Sequence, residues 1–265
     1  MTTFRAMHAP GQLLLLANAW DAGSARLIQA RGAPAIATTS AGLAWSRGYP
    51  DGDRLPLGIL ASALAEIARV VCVPLSVDVE GGYSSDPHAV GETVRSVVEA
   101  GAVGINLEDG TSPPDLLCRK IEAARAVAAK AGVDLFVNAR CDVYLRGLAP
   151  VESAVAETLA RARRYRDAGC DGLFVPGVRE GAAIREIASA LGELPLNVLW
   201  VPGLAALGEL RALGVRRLSA GSALAQRAYG AASRAAVRFL ERGDFEAGDA
   251  VVANPEMNSL FAASA

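Results

Sequence analysis

Short apolar runs alternate with longer segments of helical periodicity along the whole chain, and this alternation constrains the fold more than any other feature. Eight runs of three to five residues have the apolar character of buried strands. Each run is followed by a segment in which Ala, Leu, Arg and Glu recur at helical spacing. Parallel strands joined by crossover helices produce this order. Eight pairs predict a closed (β/α)8 TIM-type barrel, since open doubly wound sheets usually have fewer strands.

The bounds of these segments follow from the apolar runs and from glycines placed where helices end. The predicted strands are Leu13 to Ala17, Ala35 to Thr39, Leu75 to Val79, Val103 to Leu107, Leu135 to Ala139, Gly172 to Val175, Asn197 to Val201 and Arg217 to Ser219. The predicted helices are Ser24 to Arg31, Leu57 to Val70, Pro87 to Ala100, Asp115 to Ala131, Pro150 to Ala168, Glu180 to Leu191, Leu204 to Leu213 and Ser222 to Arg242. The predicted helix-ending glycines are Gly32, Gly101, Gly132, Gly169, Gly192 and Gly214.

The 265 residues suit one barrel domain. We assign residues 1–243 to a catalytic barrel and residues 244–265 to a C-terminal extension, because the eight strand–helix pairs end at Gly243. The extension is predicted to be a tail or a contact within an oligomer.

Composition excludes several classes of function. A net charge of -2 and a pI near 5.8 provide no field for a nucleic acid. No apolar run approaches the roughly 18 residues of a membrane span, and the N-terminus lacks a signal-peptide pattern, so we expect a cytoplasmic protein. The four cysteines form no Cys-x-x-Cys pair, and the two histidines leave few bases for a Ser-His-Asp or Cys-His mechanism.

Acidic residues follow two neighbouring predicted strands. Asp78 and Glu80 are two residues apart, which places them on one face of an extended chain, and Glu108 ends the next strand. The active sites of such barrels are built at the C-terminal strand ends. Three carboxylates without a nearby histidine or cysteine suit Mg²⁺ or Mn²⁺, which prefer oxygen ligands. The alternative is that these acids cap helices or pair with arginines on the rim.

Two further strand ends carry candidate ligand-binding groups. The turn Ser40-Ala41-Gly42 has small residues, so its backbone N–H groups could hold a carboxylate. Arg140 could clamp a second anionic group, or could instead pair with Asp142 or Glu108.

At these residues the sequence resembles the isocitrate lyase and phosphoenolpyruvate mutase superfamily. The similar stretches run in family order up to about Gly177, and the Asp-x-Glu and Leu-Glu-Asp motifs are the most specific. They are NAWDAGSA (18–25), TTSAG (38–42), GYPDG (48–52), VDVEGGY (77–83), GINLED (104–109) and NARCD (138–142).

The resemblance implies a Mg²⁺ ion bound by Asp78, with Glu80, Glu108 and Asp51 as direct or water-mediated ligands. It implies that Ser40, Ala41 and Gly42 bind a substrate carboxylate. It also implies that Asp78 and Arg140 contact the substrate. Family chemistry makes or breaks C–C, C–P or C–O bonds through an enolate of a 2-oxo acid. Family members exchange a C-terminal helix between subunits, which implies a homo-oligomer, a dimer or tetramer, and a role for the extension.

The sequence departs from the lyases of this family after the fourth strand. Their Lys-[Lys/Arg]-Cys-Gly-His loop, which supplies a catalytic cysteine, is replaced by Gly110 to Leu117 (GTSPPDLL). Cys118 lies in a helical pattern and is interpreted as structural, and the Lys-Thr-Asn-Ser loop of the mutases is also missing. Tyr83 is a candidate catalytic proton donor or a residue packed on the rim.

These observations leave several hypotheses. The first is a Mg²⁺-dependent lyase, hydrolase or decarboxylase acting on a small 2-oxo mono- or dicarboxylate, and a phosphoenolpyruvate mutase-like phosphoryl mutase is the second. A third treats Ser219-Ala220-Gly221-Ser222 as a phosphate cradle of a sugar-phosphate enzyme. A barrel that binds a 2-oxo acid without catalysis is the non-enzymatic alternative.

Overall fold

The computed structural model describes residues 3–246 and 251–262. The strands of its sheet are Leu14–Leu16 (β1), Asn18–Ala19 (β2), Ile36–Thr38 (β3), Leu75–Asp78 (β4), Gly104–Glu108 (β5), Phe136–Arg140 (β6), Gly172–Val175 (β7), Leu196–Leu199 (β8) and Val215–Ser219 (β9). Its α-helices are Ala22–Ala30 (α1), Ser40–Ser46 (α2), Leu57–Val70 (α3), Pro87–Glu99 (α4), Pro114–Ala131 (α5), Val143–Arg146 (α6), Ala154–Asp167 (α7), Gly181–Leu191 (α8), Leu207–Ala212 (α9), Ala223–Arg242 (α10) and Asn254–Ala262 (α11).

The strands form one parallel sheet that curls into a barrel. β1 pairs with β9, and β2 pairs with β3, so the first stretch of chain joins the two edges. Only Ala17 separates β1 from β2, and together they occupy one barrel position. The predicted (β/α)8 barrel is therefore confirmed, with its first strand interrupted rather than continuous. All six glycines predicted to end helices have positive φ, from 59° to 102°.

The structure adds two short helices that the periodicity did not predict. The segment Ser40-Ala41-Gly42, predicted to be a turn, is the first turn of α2, and α6 follows β6. Both helices are seven residues or shorter, which is too short for a helical repeat to stand out in the sequence. Both lie at C-terminal strand ends and shape the mouth of the barrel.

The C-terminal extension ends in α11, which packs against α1 of the same chain. Arg31 pairs with Glu256 at 2.6 Å, and Arg26 Nε donates to the Leu260 carbonyl at 2.5 Å. The predicted boundary at residue 244 stays a prediction, and residues 247–250 of the extension lie outside the described part. None of the helices in the described ranges is long and apolar enough to cross a membrane.

Aromatic side chains close the N-terminal end of the barrel. The 3-10 helix Arg5–His8 lies beneath the strands, with His8 stacked on Phe136 at a centroid distance of 4.2 Å. Phe4 meets Phe136 edge to face, and a Cβ at Gly104 would lie 2.6 Å from the Phe4 ring. Glycine at position 104 thus makes room for the Phe4 ring, and Phe4, His8 and Phe136 together form an aromatic plug at this end.

Burial makes His8 a pH-dependent element of stability. Desolvation, with a smaller contribution from Arg217, lowers the pKa of His8 from 6.5 to about 3. The folded protein therefore keeps His8 neutral while the unfolded chain takes up a proton below pH 6.5. This contribution to stability is complete above pH 6.5 and is lost as the pH falls towards 3.

We predict that His8→Phe removes part of the acid sensitivity of folding. Between pH 7 and pH 5 the wild-type protein should lose about 2 kcal/mol of unfolding free energy through this histidine, and the variant should not. Urea unfolding at both pH values measures the difference. The control is His88→Gln at the exposed second histidine, which should leave the wild-type loss in place. Equal pH dependence of wild type and His8→Phe would contradict the prediction.

Candidate active site

The C-terminal ends of β4, β5 and β6 bring three predicted site residues to one rim. Asp78, Glu108 and Arg140 are the last residues of these strands. Glu108 and Arg140 are direct partners in the parallel register, and Asp78 is paired with Asn106, two residues before Glu108. Their side chains therefore share the interior face at the mouth of the barrel.

Arg140 forms ion pairs with two acidic residues, Glu108 and Asp142. Its Nη1 lies 2.5 Å from Glu108 Oε2, while Nε and Nη2 donate to the two Asp142 oxygens at 2.7 and 3.0 Å. Arg146 Nε donates to Asp142 Oδ2 at 3.0 Å. Burial raises the pKa of Glu108 to about 8, against the opposing effect of Arg140. Both partners that the sequence left open for Arg140 are thus present.

Asp109 supports this arrangement from behind. Its Oδ1 accepts the Asp142 backbone N–H at 2.9 Å, and its Oδ2 accepts from Arg161 Nη1 at 2.9 Å and from Tyr165 OH at 2.6 Å. Asp109 and Asp142 are both buried. Asp109 therefore points towards α7 and fixes the loop that holds Arg140.

A second cluster surrounds Glu80. The Asp53 backbone N–H donates to Glu80 Oε2 at 2.5 Å, and Tyr83 OH donates to Glu80 Oε1 at 3.2 Å. The Tyr83 N–H donates in turn to Asp53 Oδ1 at 3.1 Å. Burial, reinforced by Asp51 and Asp78, raises the pKa of Glu80 to about 7. Desolvation and Glu80 raise the pKa of Tyr83 above its usual value, which keeps its phenol protonated.

Backbone strain coincides with this cluster. Asp53, Glu80 and Tyr83 have φ values of 56°, 51° and 60°, and they are the non-glycine residues with positive φ in the described ranges. Such conformations cost on the order of 1 to 3 kcal/mol each, and they concentrate at functional sites. Lys120 helps to hold the loop, since its Nζ donates to the Gly81 carbonyl at 2.5 Å.

Asp78 connects the two clusters to the start of α2. Its Oδ2 accepts the Ser40 backbone N–H at 3.3 Å, and its own N–H donates to Thr38 Oγ1 at 2.9 Å. Burial raises the pKa of Asp78, and Arg140 lowers it by a smaller amount. Ser40, Ala41 and Asp78 thus lie side by side, while Asp51 lies exposed in the loop before α3.

A pocket of about 140 Å³ opens at this rim. Of the predicted site residues, Ala41, Asp78 and Arg140 line it. Its other polar lining residues are Asn18, Thr39, Asn106, Ser219 and Ser222, and its apolar wall consists of Leu145, Phe174, Pro176 and Leu199. The Gly221 N–H of the alternative phosphate cradle donates to Asn18 Oδ1 at 2.9 Å, so that amide is already used.

The carboxylates at this rim are chemically suited to bind a hard divalent cation. Burial raises the pKa values of Asp53, Asp78, Glu80 and Glu108, and the acids repel one another, so a positive ion would stabilise their charged forms. The donors are all oxygen atoms, as Mg²⁺ prefers. Within the described residues no three acids, cysteines or histidines are spaced as a ready metal site. Arg140 and backbone N–H groups offset part of the negative charge of these carboxylates.

Several site residues were missed from the sequence. Asp53 reaches Glu80 from a distant loop, and no local pattern indicates that contact. Asn106 could have been found, because it occupies an inward position of β5, two residues before Glu108. Ser219, which the sequence offered as part of a phosphate cradle, lines the same pocket.

Comparisons with known proteins identify the relationship. Residues 4–240 match the family model described as phosphoenolpyruvate phosphomutase. The chain belongs to this family. It thus lies in the isocitrate lyase and phosphoenolpyruvate mutase superfamily, as the sequence motifs indicated.

Two relatives show how far the likeness extends. An uncharacterized protein of Mycobacterium tuberculosis is 41% identical over 222 residues, which are 83% of this chain and 82% of that protein. The 2-methylisocitrate lyase of Escherichia coli K12 is 33% identical over 203 residues, 71% of this chain and 66% of the lyase.

Solved structures agree. A candidate phosphonomutase from Burkholderia cenocepacia J2315 is 42% identical with a TM-score of 0.83, covering 87% of this chain and 96% of that chain. Oxaloacetate acetylhydrolase in complex with its product oxalate is 26% identical with a TM-score of 0.86, covering 97% and 91%. These names are those of enzymes, which supports an enzyme here, and oxaloacetate is a 2-oxo acid.

Gly42 is required by packing at the start of α2. A Cβ at this position would lie 2.7 Å from Trp20 Cβ, 2.8 Å from Thr39 Cγ2 and 3.2 Å from Ala225 Cβ. Trp20 and Thr39 directly follow the paired strands β2 and β3, so α2 itself would have to move.

We predict that Gly42→Ala destabilises the fold by about 1 to 3 kcal/mol, because it overpacks the interior. The matched control is Gly58→Ala in α3, where a Cβ meets nothing within 4 Å and alanine favours the helix. Urea unfolding of both variants tests this. A Gly42→Ala protein as stable as the Gly58→Ala protein would show that α2 adapts without cost.

Proposed function

We propose that the protein is a Mg²⁺-dependent enzyme that breaks or forms a C–C or P–C bond of a small 2-oxo carboxylic acid through an enolate. A lyase, hydrolase or decarboxylase reaction is the class that we favour. The observation that carries the proposal is a small pocket in which an acid, Asp78, and a fixed guanidinium, Arg140, face the same space. Its volume of about 140 Å³ suits a ligand of a few carbon atoms.

Asp78 would hold the cation, with Glu80, Glu108 and Asp51 as further or water-mediated ligands. When bound, Mg²⁺ or Mn²⁺ polarises the keto group of a 2-oxo acid and lowers the cost of negative charge on its oxygen. The raised pKa values at Glu80 and Glu108 support this assignment, because they mark carboxylates that lack sufficient positive charge nearby.

The chain's own side chains would orient the ligand. Ser40, Ala41 and Gly42 offer small residues beside Asp78, so a ligand carboxylate can approach the backbone. Arg140 would contact the second polar group, and its bidentate bond to Asp142 fixes the plane of the guanidinium beforehand. The apolar wall opposite excludes water from the reacting centre.

Tyr83 is the proton donor that this site offers. Its phenol stays protonated at neutral pH, and its hydroxyl is already directed at Glu80 Oε1, 3.2 Å away. A proton held at the phenolic oxygen can pass to a developing carbanion or alkoxide. This role would take the place of the cysteine in the Lys-x-Cys-Gly-His loop, which the chain lacks.

Exposed apolar side chains support a homo-oligomer. On α10, Val237, Phe239 and Leu240 are 52%, 50% and 84% exposed. Burying such residues against a second copy of the chain is favourable. A dimer or tetramer is the expected state, and light scattering after gel filtration measures it.

We predict that Asp78→Ala abolishes Mg²⁺-dependent binding of 2-oxo acids. The wild-type melting temperature should rise with oxalate or a 2-oxo acid only when Mg²⁺ is present, and the variant should show no such rise. Asp115→Ala, at an exposed acid in α5, should behave as wild type. Product assays on the acids that stabilise the protein then separate an enzyme from a non-catalytic binder. Stabilisation that survives in Asp78→Ala would overturn the assignment.

A further inference from the structure

Arg217 is a buried cation in the middle of the barrel. It lies on β9 with a solvent exposure of 0%, and its side chain crosses the interior to β5. Its Nη2 donates to Asn106 Oδ1 at 3.2 Å, and its Nε donates to Ser219 Oγ at 3.1 Å. Among the described residues Nη1 has no hydrogen-bond partner, and no ion pair includes Arg217.

Such a residue is expensive to bury. An ion that moves from water into a protein interior without a counter-ion destabilises the fold, and an apolar residue of the same size does not carry this penalty. Burial lowers the pKa of Arg217 only to about 9, so it stays charged at neutral pH, and the negative charge of Asp78 opposes this lowering. A residue that weakens the fold in this way is expected to serve the site instead.

Arg217 controls which end of the Asn106 amide faces the pocket. Asn106 Oδ1 accepts two hydrogen bonds, from Asn138 Nδ2 at 2.9 Å and from Arg217 Nη2. The amide oxygen is thereby turned into the barrel interior. Because Asn106 lines the pocket, its NH₂ group remains to donate to a ligand.

Ser219 is held in the same way. Its hydroxyl donates to Asn197 Oδ1 at 3.2 Å and accepts from Arg217 Nε. Ser219 also lines the pocket. One guanidinium therefore fixes two polar groups of the pocket floor on opposite sides of the barrel.

We propose that Arg217 is a positioning residue that makes the pocket floor selective for a ligand with an oxygen anion, a carboxylate or enolate oxygen, at its innermost end. It presents the Asn106 amide N–H and places a positive charge below the floor, where the low dielectric strengthens its effect. This inference rests on the proposed function, because it specifies how the same pocket binds a 2-oxo acid. A purely structural role is the alternative, in which Arg217 only fills the barrel.

The test is calorimetric binding of oxalate in the presence of Mg²⁺ to the full-length protein and to Arg217→Met, which has similar length without charge. We expect the dissociation constant for oxalate to rise at least about tenfold, which corresponds to about 1.4 kcal/mol. The control is Arg125→Met, which removes hydrogen bonds to the Gly169 and Leu135 carbonyls away from the pocket. It should lower stability and leave the dissociation constant within about twofold, as expected for distant sites.

A double variant separates positioning from filling. In an Asn106→Leu background the floor has lost its amide, so Arg217→Met should raise the dissociation constant by less than about threefold. Equal effects of Arg217→Met in both backgrounds, or unchanged binding in the folded single variant, would overturn the proposal. If Arg217→Met fails to fold, Arg217→Lys replaces it; this variant keeps the charge but lacks the second hydrogen-bonding arm, so its affinity should fall between wild type and Asn106→Leu. Wild-type protein that does not bind oxalate with Mg²⁺ would instead contradict the proposed function itself.

Discussion

Charge buried inside a closed barrel is the constraint on which the rest of this structure depends. Ionised groups that are buried in the barrel lose the solvation they would have in water, so each charge needs polar partners from the protein. Glu108 is compensated by Arg140, and Glu80 by the Asp53 backbone N–H and the Tyr83 hydroxyl. The left-handed backbone at Asp53, Glu80 and Tyr83 is the conformational cost of bringing those donors to the acids.

The barrel separates stability from chemistry along its axis. The end that holds Phe4, His8 and Phe136 is packed with rings and is closed by the 3-10 helix. The opposite end carries the carboxylates, guanidinium groups and amides. Buried charge near the rim lowers the stability of the fold. The packing of the aromatic plug at the other end raises it, so the barrel stays folded although its mouth holds charged groups.

Local patterns in the sequence predicted the strands, the helices and the residues at the strand ends well, but they did not predict side-chain contacts between distant segments. Strand periodicity, helix-ending glycines and the rule that parallel strands end at one rim placed Asp78, Glu108 and Arg140 together, because each signal is local in sequence. The contact of Asp53 with Glu80 joins distant segments, and no periodicity encodes it. Alternation along β9 does place Arg217 inside the barrel, yet a charged residue there contradicts the rule that barrel interiors are apolar. Such a contradiction is itself a signal for a functional residue.

Arg140 illustrates why the acids and the ligand must be considered together. Its guanidinium is engaged by Glu108 and Asp142, and these bonds leave little capacity for a further anion. Under the proposed function, Arg140 Nη1 cannot pair fully with Glu108 and with a ligand carboxylate at the same time. Positive charge bound to Glu108 would release that nitrogen, and an anionic ligand on Arg140 would free Glu108 to bind positive charge. Because binding free energies are linked, each event must strengthen the other by the same factor, so cooperative uptake follows from one shared guanidinium.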